Sequence, residues 1–241
     1  MTSALQAIVF DFDGVIADSE PLHLRAFQHT LREHGLQLTP SEYYARYLGY
    51  DDVGLIRALA HDRGVVLSDS ELQALLVRKA SALKEMLKNA TVLFPGAAEF
   101  IRSAAAQVPV AIASGALRHE IVAILDGASL RDAFTAIVAS GDTSESKPSP
   151  APYALAFQQL RDFTGFDLQP DRCVAIEDSR WGLQSARGAG LRCVGVTTSY
   201  PAEELDGADL VVGGLSELDI PMLDRLCAED LLMGRETENA P

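Results

Sequence analysis

The chain has 241 residues, of which 48% are hydrophobic and 22% charged, and its formal net charge is −14. This length allows one large core, or a core with a smaller second domain, and the acidic balance disfavours nucleic acid and anionic membranes as partners, because both are bound through Lys and Arg. The sequence has no run of roughly 18 apolar residues that could span a bilayer and no signal-peptide pattern, so we expect a cytoplasmic protein.

The first predicted element is a short buried strand that ends in acidic residues. Apolar residues run from Ala7 to Phe10, and Asp11 and Asp13 come directly after them. Ligands bind at the carboxyl ends of strands in open α/β sheets, and two close carboxylates repel each other unless a cation or a shared proton relieves them. The pair therefore favours Mg²⁺, which prefers carboxylate, water and phosphate oxygens. Taken alone, the pair is explained equally well as an exposed acidic loop.

Residues 19–90 show helical patterns and no convincing strand. Ser68 and Glu71 have the spacing of a capping box, and Thr39 is a helix cap followed by proline. We predict an inserted all-helical cap domain at 19–90, a core formed by 1–18 and 91–232, and a frayed tail at 233–241. The four predicted cap helices are Pro21–His34, Thr39–Tyr47, Asp51–Arg63 and Ser68–Leu87.

Beyond the insert, short apolar runs alternate with helical patterns. Such alternation implies right-handed βαβ units, so we predict an α/β fold with a Rossmann-like, doubly wound parallel sheet. The predicted strands are Val108–Ala113, Ala136–Ala139, Arg172–Ile176, Arg192–Thr197 and Ala208–Val212, and the helices between them include Ala97–Ala106, His119–Leu125, Pro150–Leu160 and Gly182–Ala189.

Three of these strands are followed by residues suited to phosphate chemistry. Ser114 and Gly115 follow the second strand, Lys147 lies in a proline-rich loop after the third, and Glu177 and Asp178 follow the fourth. We expect all of them at the edge of the sheet that carries the first aspartates. Taken singly, Ser114 is more simply a helix N-cap and Lys147 a solvated loop lysine. Their combination at successive strand ends favours a phosphoryl-transfer site.

In this order the motifs resemble those of haloacid dehalogenase (HAD) superfamily phosphatases, in the subgroup that contains β-phosphoglucomutase and phosphoglycolate phosphatase. The resemblance extends from Ile8 to about Val212. The residues that carry it are Asp11-Phe12-Asp13-Gly14-Val15, Ser114, Lys147-Pro148, and Glu177-Asp178 followed by Gly182 and Gly190.

The resemblance implies a role for each matched residue. Asp11 would attack phosphorus and form an aspartyl-phosphate, and Asp13 would act as general acid and then as general base. Mg²⁺ would be held by Asp11, the backbone carbonyl of Asp13, and Asp178, with Glu177 in support or bound through water. The phosphoryl group would be bound by Gly14, Ser114, Gly115 and Lys147.

The main alternative is a sugar phosphomutase similar to β-phosphoglucomutase. That enzyme holds its substrate's second phosphate with an arginine in the cap loop and a Ser-Lys pair after the second motif. The corresponding residues of this chain are Asp52, Ala116 and Leu117. None of these binds a dianion, and Asp52 would repel one, which favours a plain hydrolase. Arg57 and Arg118 lie close by in sequence and could substitute in part, so the mutase stays open. A non-catalytic phosphate-binding protein is a third reading, disfavoured because no catalytic residue is missing.

The cap is expected to select the substrate. The resemblance implies that His23, Lys79 and Tyr50 contact the substrate. Without the resemblance, His23 is more simply a partly buried histidine of a helix and Lys79 a solvated helix residue. The expected substrate is a small phosphorylated metabolite, a sugar phosphate or a phosphoglycolate-like acid, and no protein partner is predicted. The three cysteines show no metal-type spacing and are predicted to be reduced: Cys173, Cys193 and Cys227.

Overall fold

The computed structural model describes residues 3–47, 50–87 and 92–237, with side chains described as far as residue 228. The chain divides into two compact units, a core unit of Met1–Asp18 with Thr91–Pro241 and a helical unit of Ser19–Ala90. That the helical unit serves as a cap stays a prediction. None of the helices described here combines the length and the apolar character needed to cross a membrane.

Within the described residues, six parallel strands form one sheet in the order β3-β2-β1-β4-β5-β6. The strands are β1 (Ala7–Phe10), β2 (Val110–Ala113), β3 (Ala136–Val138), β4 (Cys173–Glu177), β5 (Arg192–Val196) and β6 (Leu210–Val212). The order reverses between β1 and β4, and such a switch point opens a crevice at the carboxyl ends of the strands. The predicted α/β, Rossmann-like doubly wound parallel sheet is confirmed.

The helices surround this sheet or form the second unit. In chain order they are α1 (Glu20–Arg32), α2 (Pro40–Glu42), α3 (Asp52–Asp62), α4 (Asp69–Leu87), α5 (Ala97–Ala105), α6 (Arg118–Gly127), α7 (Ala151–Thr164), α8 (Arg180–Gly188) and α9 (Ile220–Thr237). The first four belong to the helical unit. There, the predicted helix at 39–47 is split, because α2 gives way to a π-helical turn at Tyr43–Tyr47.

The core forms on both faces of the sheet, because helices cover each side of a parallel sheet. On one face, Val9 and Ala175 pack with Tyr153 of α7 and Leu183 of α8. On the other, the Phe10 ring meets the Phe100 ring edge to face at 6.1 Å. All three cysteines are buried free thiols, as predicted.

The C-terminal end differs from the sequence prediction. Helix α9 continues to Thr237, whereas the polar composition predicts a frayed tail from residue 233. Arg235 and Glu236 are good helix formers and extend the backbone of a helix that has already begun. Residues 238–241 lie outside the described residues.

Candidate active site

Strand pairing brings Asp11 and the acidic pair after β4 to the same edge of the sheet. Phe10 of β1 is in register with Ile176 of β4, and the Asp11 N–H donates to the Ile176 carbonyl at 2.9 Å. On the other side, Phe10 is in register with Ile112 of β2, so Ser114 lies at the same edge. The sequence expectation of one shared strand edge is therefore met for these residues.

Lys147 connects two of the carboxylates. Its Nζ lies 2.8 Å from Asp11 Oδ1 and 2.5 Å from Glu177 Oε1, and its side chain is 15% exposed. The reading of Lys147 as a solvated loop lysine is therefore wrong. The loop holds a partly buried positive charge between the proposed nucleophile and the β4 carboxylate.

Glu177 is fully buried, and its carboxylate accepts several hydrogen bonds. Oε1 accepts from the Tyr153 hydroxyl at 3.0 Å in addition to Lys147. Oε2 accepts from the backbone N–H groups of Asp178 and Ser179 at 3.1 and 3.2 Å and from the Ser179 hydroxyl at 3.1 Å. With this many donors, Glu177 is fixed in place and anchors the start of α8.

The first turn of α8 is built around that carboxylate. Ser179 is the N-cap, and its Oγ accepts from the Gly182 N–H at 3.1 Å. A Cβ atom at Gly182 would lie 1.8 Å from the Glu177 carboxylate. Glycine is required at this position because the helix and the buried carboxylate pack in direct contact.

Asp178 is held by the loop after β5. The Ser199 hydroxyl donates to Asp178 Oδ2, and the neighbouring Thr198 hydroxyl donates to the Gly14 carbonyl. Gly14 has a φ of +79°, and a Cβ atom there would lie 1.8 Å from Asp178 Oδ2. In this structure the group that lies closest to the Gly14 backbone is the Asp178 carboxylate. Sequence reasoning instead expects a phosphate to approach Gly14.

The charges at this edge are unbalanced. Burial and the neighbouring Glu177 raise the pKa of Asp11 well above its usual range, against the opposing effect of Lys147. Burial and Glu177 likewise raise the pKa of Asp178 to about 6. Burial alone would lower the pKa of Lys147, but Asp11 and Glu177 raise it overall, so the ammonium stays charged. Three carboxylates thus lie around the single Lys147 ammonium, so a further positive charge would stabilise their ionised forms.

A bound divalent metal ion would supply that positive charge. One oxygen from each of Asp11, Glu177 and Asp178 lies within 4.8 Å of the others. An all-oxygen set of this kind suits a hard cation such as Mg²⁺ and lacks the nitrogen and sulfur ligands that favour zinc. The residues present therefore fit the metal that sequence reasoning predicts.

The remaining predicted core residues lie in the turns after β1 and β2. Asp13 is half-buried and forms a bridge pair with Ala17. Ser114 is buried, and its Oγ accepts from the Ala116 N–H at 3.0 Å. The N-cap of α6 is Leu117, so the reading of Ser114 as a helix N-cap is wrong. Gly115 is exposed, and a Cβ atom there would meet no atom within 4 Å, which leaves open space beside its backbone.

Within the helical unit, Lys79 is enclosed by its own neighbours. It is 1% exposed, lies 2.8 Å from both carboxylate oxygens of Asp52 and 3.0 Å from His23 Nδ1, and stacks over the Phe27 ring at 4.7 Å. Burial and the Lys79 charge lower the pKa of His23 to about 4. Asp52 is thus ion-paired, which the sequence does not reveal. The third predicted cap residue, Tyr50, is 54% exposed.

Sequence reasoning misses three residues of the site: Tyr153, Thr198 and Ser199. Tyr153 lies in the middle of α7, where nothing in the local pattern distinguishes it from a core tyrosine. The two hydroxyl residues come after the apolar run of β5, and the signal that identifies Ser114, a hydroxyl after a buried strand, applies to them as well.

Comparisons with known proteins identify a matching family profile and several similar proteins. The profile described as haloacid dehalogenase-like hydrolase matches residues 8–196. Protein CbbY of Rhodobacter capsulatus is 34% identical over 220 residues, covering 88% of this chain and 94% of CbbY. Fructose-1-phosphate phosphatase YqaB of Escherichia coli is 30% identical over 189 residues, covering 78% of this chain and 95% of YqaB. The crystal structure of a CbbY mutant from Rhodobacter sphaeroides in complex with xylulose-(1,5)bisphosphate has a TM-score of 0.74 at 29% identity, covering 89% of this chain and 96% of that one.

Proposed function

Since the chain belongs to the haloacid dehalogenase-like hydrolase family and is a phosphatase, we propose that it hydrolyses a small phosphate monoester with Mg²⁺ through an aspartyl-phosphate. The observation that carries this proposal is the position of Lys147, 2.8 Å from Asp11 and 2.5 Å from Glu177, beside the metal-type cluster of carboxylates. Fixed positive charge beside a carboxylate nucleophile favours phosphoryl transfer to it, because that charge stabilises the transferring oxygens.

The proposed reaction has two displacements at phosphorus. An Asp11 oxygen attacks, the bond from phosphorus to the ester oxygen breaks, and Asp13 donates a proton to the departing alkoxide. Water then attacks the aspartyl-phosphate, Asp13 takes the proton, and the bond between phosphorus and Asp11 breaks to release phosphate. Lys147 and Ser114 hold the transferring oxygens, and Gly115 leaves open space beside the backbone for close approach.

Mg²⁺ is the proposed cofactor. Asp11, Asp178 and the Asp13 carbonyl would hold it, with Glu177 acting in support or through water. A bound ion would supply the positive charge that the transferring phosphoryl oxygens and the crowded carboxylates require. The hydrogen bond from Ser199 to Asp178 Oδ2 orients that carboxylate.

Hydrolysis is favoured over a mutase because the substitute arginines are engaged. Arg118 donates to the Ile137 carbonyl at 2.7 Å and to Asp142 at 2.5 Å. In the helical unit, Arg57 lies 3.4 Å from Asp69. The pairing of Asp52 with Lys79 removes the sequence-based argument that Asp52 repels a phosphate, so the preference for hydrolysis depends on these arginines and on Ala116 and Leu117.

The proposed substrate class is a small phosphorylated metabolite. Relatives named for fructose 1-phosphate and crystallised with xylulose bisphosphate support a sugar phosphate, and the family resemblance adds phosphoglycolate-like acids. We propose that the helical unit acts as the cap that selects among them. Its exposed Tyr50 is available to a ligand as it stands, whereas Lys79 would have to exchange Asp52 or His23 for a substrate oxygen.

The test is a panel of phosphate esters assayed for free phosphate with Mg²⁺ and with EDTA. We expect hydrolysis of p-nitrophenyl phosphate and of at least one small sugar phosphate, and loss of activity in EDTA. Asp11→Asn should lose nearly all of this hydrolysis, whereas Asp162→Asn, an exposed substitution on α7 that makes the same chemical change, should retain it. A further assay supplies β-glucose 1-phosphate with a trace of its 1,6-bisphosphate. Glucose 6-phosphate that accumulates faster than free phosphate would identify a mutase.

A further inference from the structure

The edge of the core beside Asp178 carries three neighbouring side chains that the proposed reaction does not use, two of them exposed and the third partly buried. Arg180 and Trp181 lie in the first turn of α8, and Tyr200 lies in the loop after β5. The Trp181 side chain is 42% exposed, and its ring meets the Tyr200 ring edge to face at 6.1 Å. We call these three residues the α8 platform.

Two residues of the platform are chain neighbours of residues that contact the metal-type cluster. Tyr200 is adjacent in the chain to Ser199, whose hydroxyl donates to Asp178 Oδ2. Trp181 directly precedes Gly182, which packs against the Glu177 carboxylate. Arg180 is two residues beyond Asp178, so their Cα atoms lie within about 7 Å of each other. The platform therefore lies at the same edge of the core unit as the metal-type cluster.

The exposed Arg180 guanidinium is positioned by its contact with Trp181. The guanidinium stacks over the Trp181 ring at 4.4 Å, which uses the flat face of the group and leaves the N–H edge available. Among the side chains that the structure describes, none forms a salt bridge or hydrogen bond with Arg180. Nearby arginines on the same unit differ in this respect, since Arg187 and Arg192 both approach Asp209.

From this arrangement the geometry points to a subsite on the α8 platform for a second oxyanion of the substrate, a carboxylate or a second phosphate on the leaving group. A planar guanidinium binds either group through two parallel N–H bonds. The stack on Trp181 fixes its orientation, so little side-chain freedom is lost on binding. The inference rests on the proposed function, since it concerns the leaving group of the ester cleaved at Asp11.

The experiment compares ligands that differ in the second anion alone. One pair is 2-phosphoglycolate and 2-hydroxyethyl phosphate, and the other is fructose 1,6-bisphosphate and fructose 1-phosphate. Dissociation constants are measured by calorimetry in an Asp11→Asn background, which prevents turnover. Trp181 is the single tryptophan of the chain, so its fluorescence reports binding at the platform independently of activity.

We expect the doubly anionic member of at least one pair to bind more tightly and to change the Trp181 emission. Adding Arg180→Gln should reduce that preference about tenfold, the usual effect of losing hydrogen bonds to a charged group. Arg180→Lys should restore part of it. Arg225→Gln, an equal charge change on α9 of the same unit, should leave it intact. The pair that responds identifies the second anion as carboxylate or phosphate.

Equal affinities within both pairs, or a preference that Arg180→Gln leaves unchanged, would overturn the subsite. Failure of the proposed function looks different: the native protein would hydrolyse no phosphate ester, p-nitrophenyl phosphate included, while the binding preference of the Asp11→Asn protein could still be measured.

Discussion

Asp178→Asn should stabilise the metal-free protein. The Asp178 side chain is buried and faces the carboxylate of Glu177, and burial and that neighbour raise its pKa to about 6. An asparagine of nearly the same shape carries no charge and can still accept the hydrogen bond from Ser199. The substitution therefore removes an unfavourable charge and leaves the packing in place.

The magnitude can be worked out from the pKa shift. The pKa rises from 3.8 to about 6, and each unit corresponds to about 1.4 kcal/mol, so ionised Asp178 costs about 3 kcal/mol of folding free energy. Because the pKa of this acid is raised in the folded protein, its favourable contribution is complete below pH 3.8 and is lost as the pH rises through about 6. The advantage of asparagine should thus be absent near pH 4 and complete above about pH 7.

The assay is denaturant unfolding in EDTA, monitored by the fluorescence of Trp181, which lies in the core unit. Asp162→Asn is the control for a loss of negative charge on the same unit. At about pH 7.5 we expect Asp178→Asn to unfold at higher denaturant than the native protein, and addition of Mg²⁺ to stabilise the native protein far more than the variant. A variant that is less stable than the native protein in EDTA at this pH would refute the reasoning.

Three further predictions concern individual contacts. Tyr153→Phe removes a buried donor to Glu177 and should lower the free energy of unfolding by about 2 kcal/mol; a change below about 0.5 kcal/mol would show that the bond is unimportant. Ser199→Ala frees Asp178 to rotate and should weaken Mg²⁺ binding, measured by calorimetry, by about tenfold, whereas Ser199→Thr should bind Mg²⁺ normally; equal affinities for all three proteins would contradict this. His23 should titrate near pH 4 by NMR, so the helical unit loses stability as the pH falls from 6.5 towards 4; titration near 6.5 would show that its ring is not held beside Lys79.

The sequence is most informative about function at the carboxyl ends of the strands. Asp11, Ser114 and Glu177 each end or directly succeed a short apolar run, and parallel pairing necessarily brings such positions to one edge of the sheet. The same logic predicts the doubly wound fold. Lys147 can be placed near this edge by its loop, but the distances that join it to two carboxylates depend on tertiary packing.

The contacts that sequence cannot supply link residues far apart in the chain. Tyr153 reaches Glu177 because α7 packs across the sheet, and the hydrogen bond spans 24 positions. Lys79 and Asp52 are 27 positions apart on different helices, and neither helix pattern marks the pair. Gly14 is recognisable from sequence as a close-approach position, but the group that approaches it, Asp178, is fixed only by the fold.

The central claim is that Asp11 becomes phosphorylated during turnover. The most direct measurement is rapid acid quenching of the native enzyme with Mg²⁺ and a ³²P-labelled substrate, and then peptide mapping. The account predicts a transient, hydroxylamine-sensitive phosphate on the peptide that contains Asp11, and no such species in Asp11→Asn. Label on another residue, or undiminished turnover by Asp11→Asn, would contradict it.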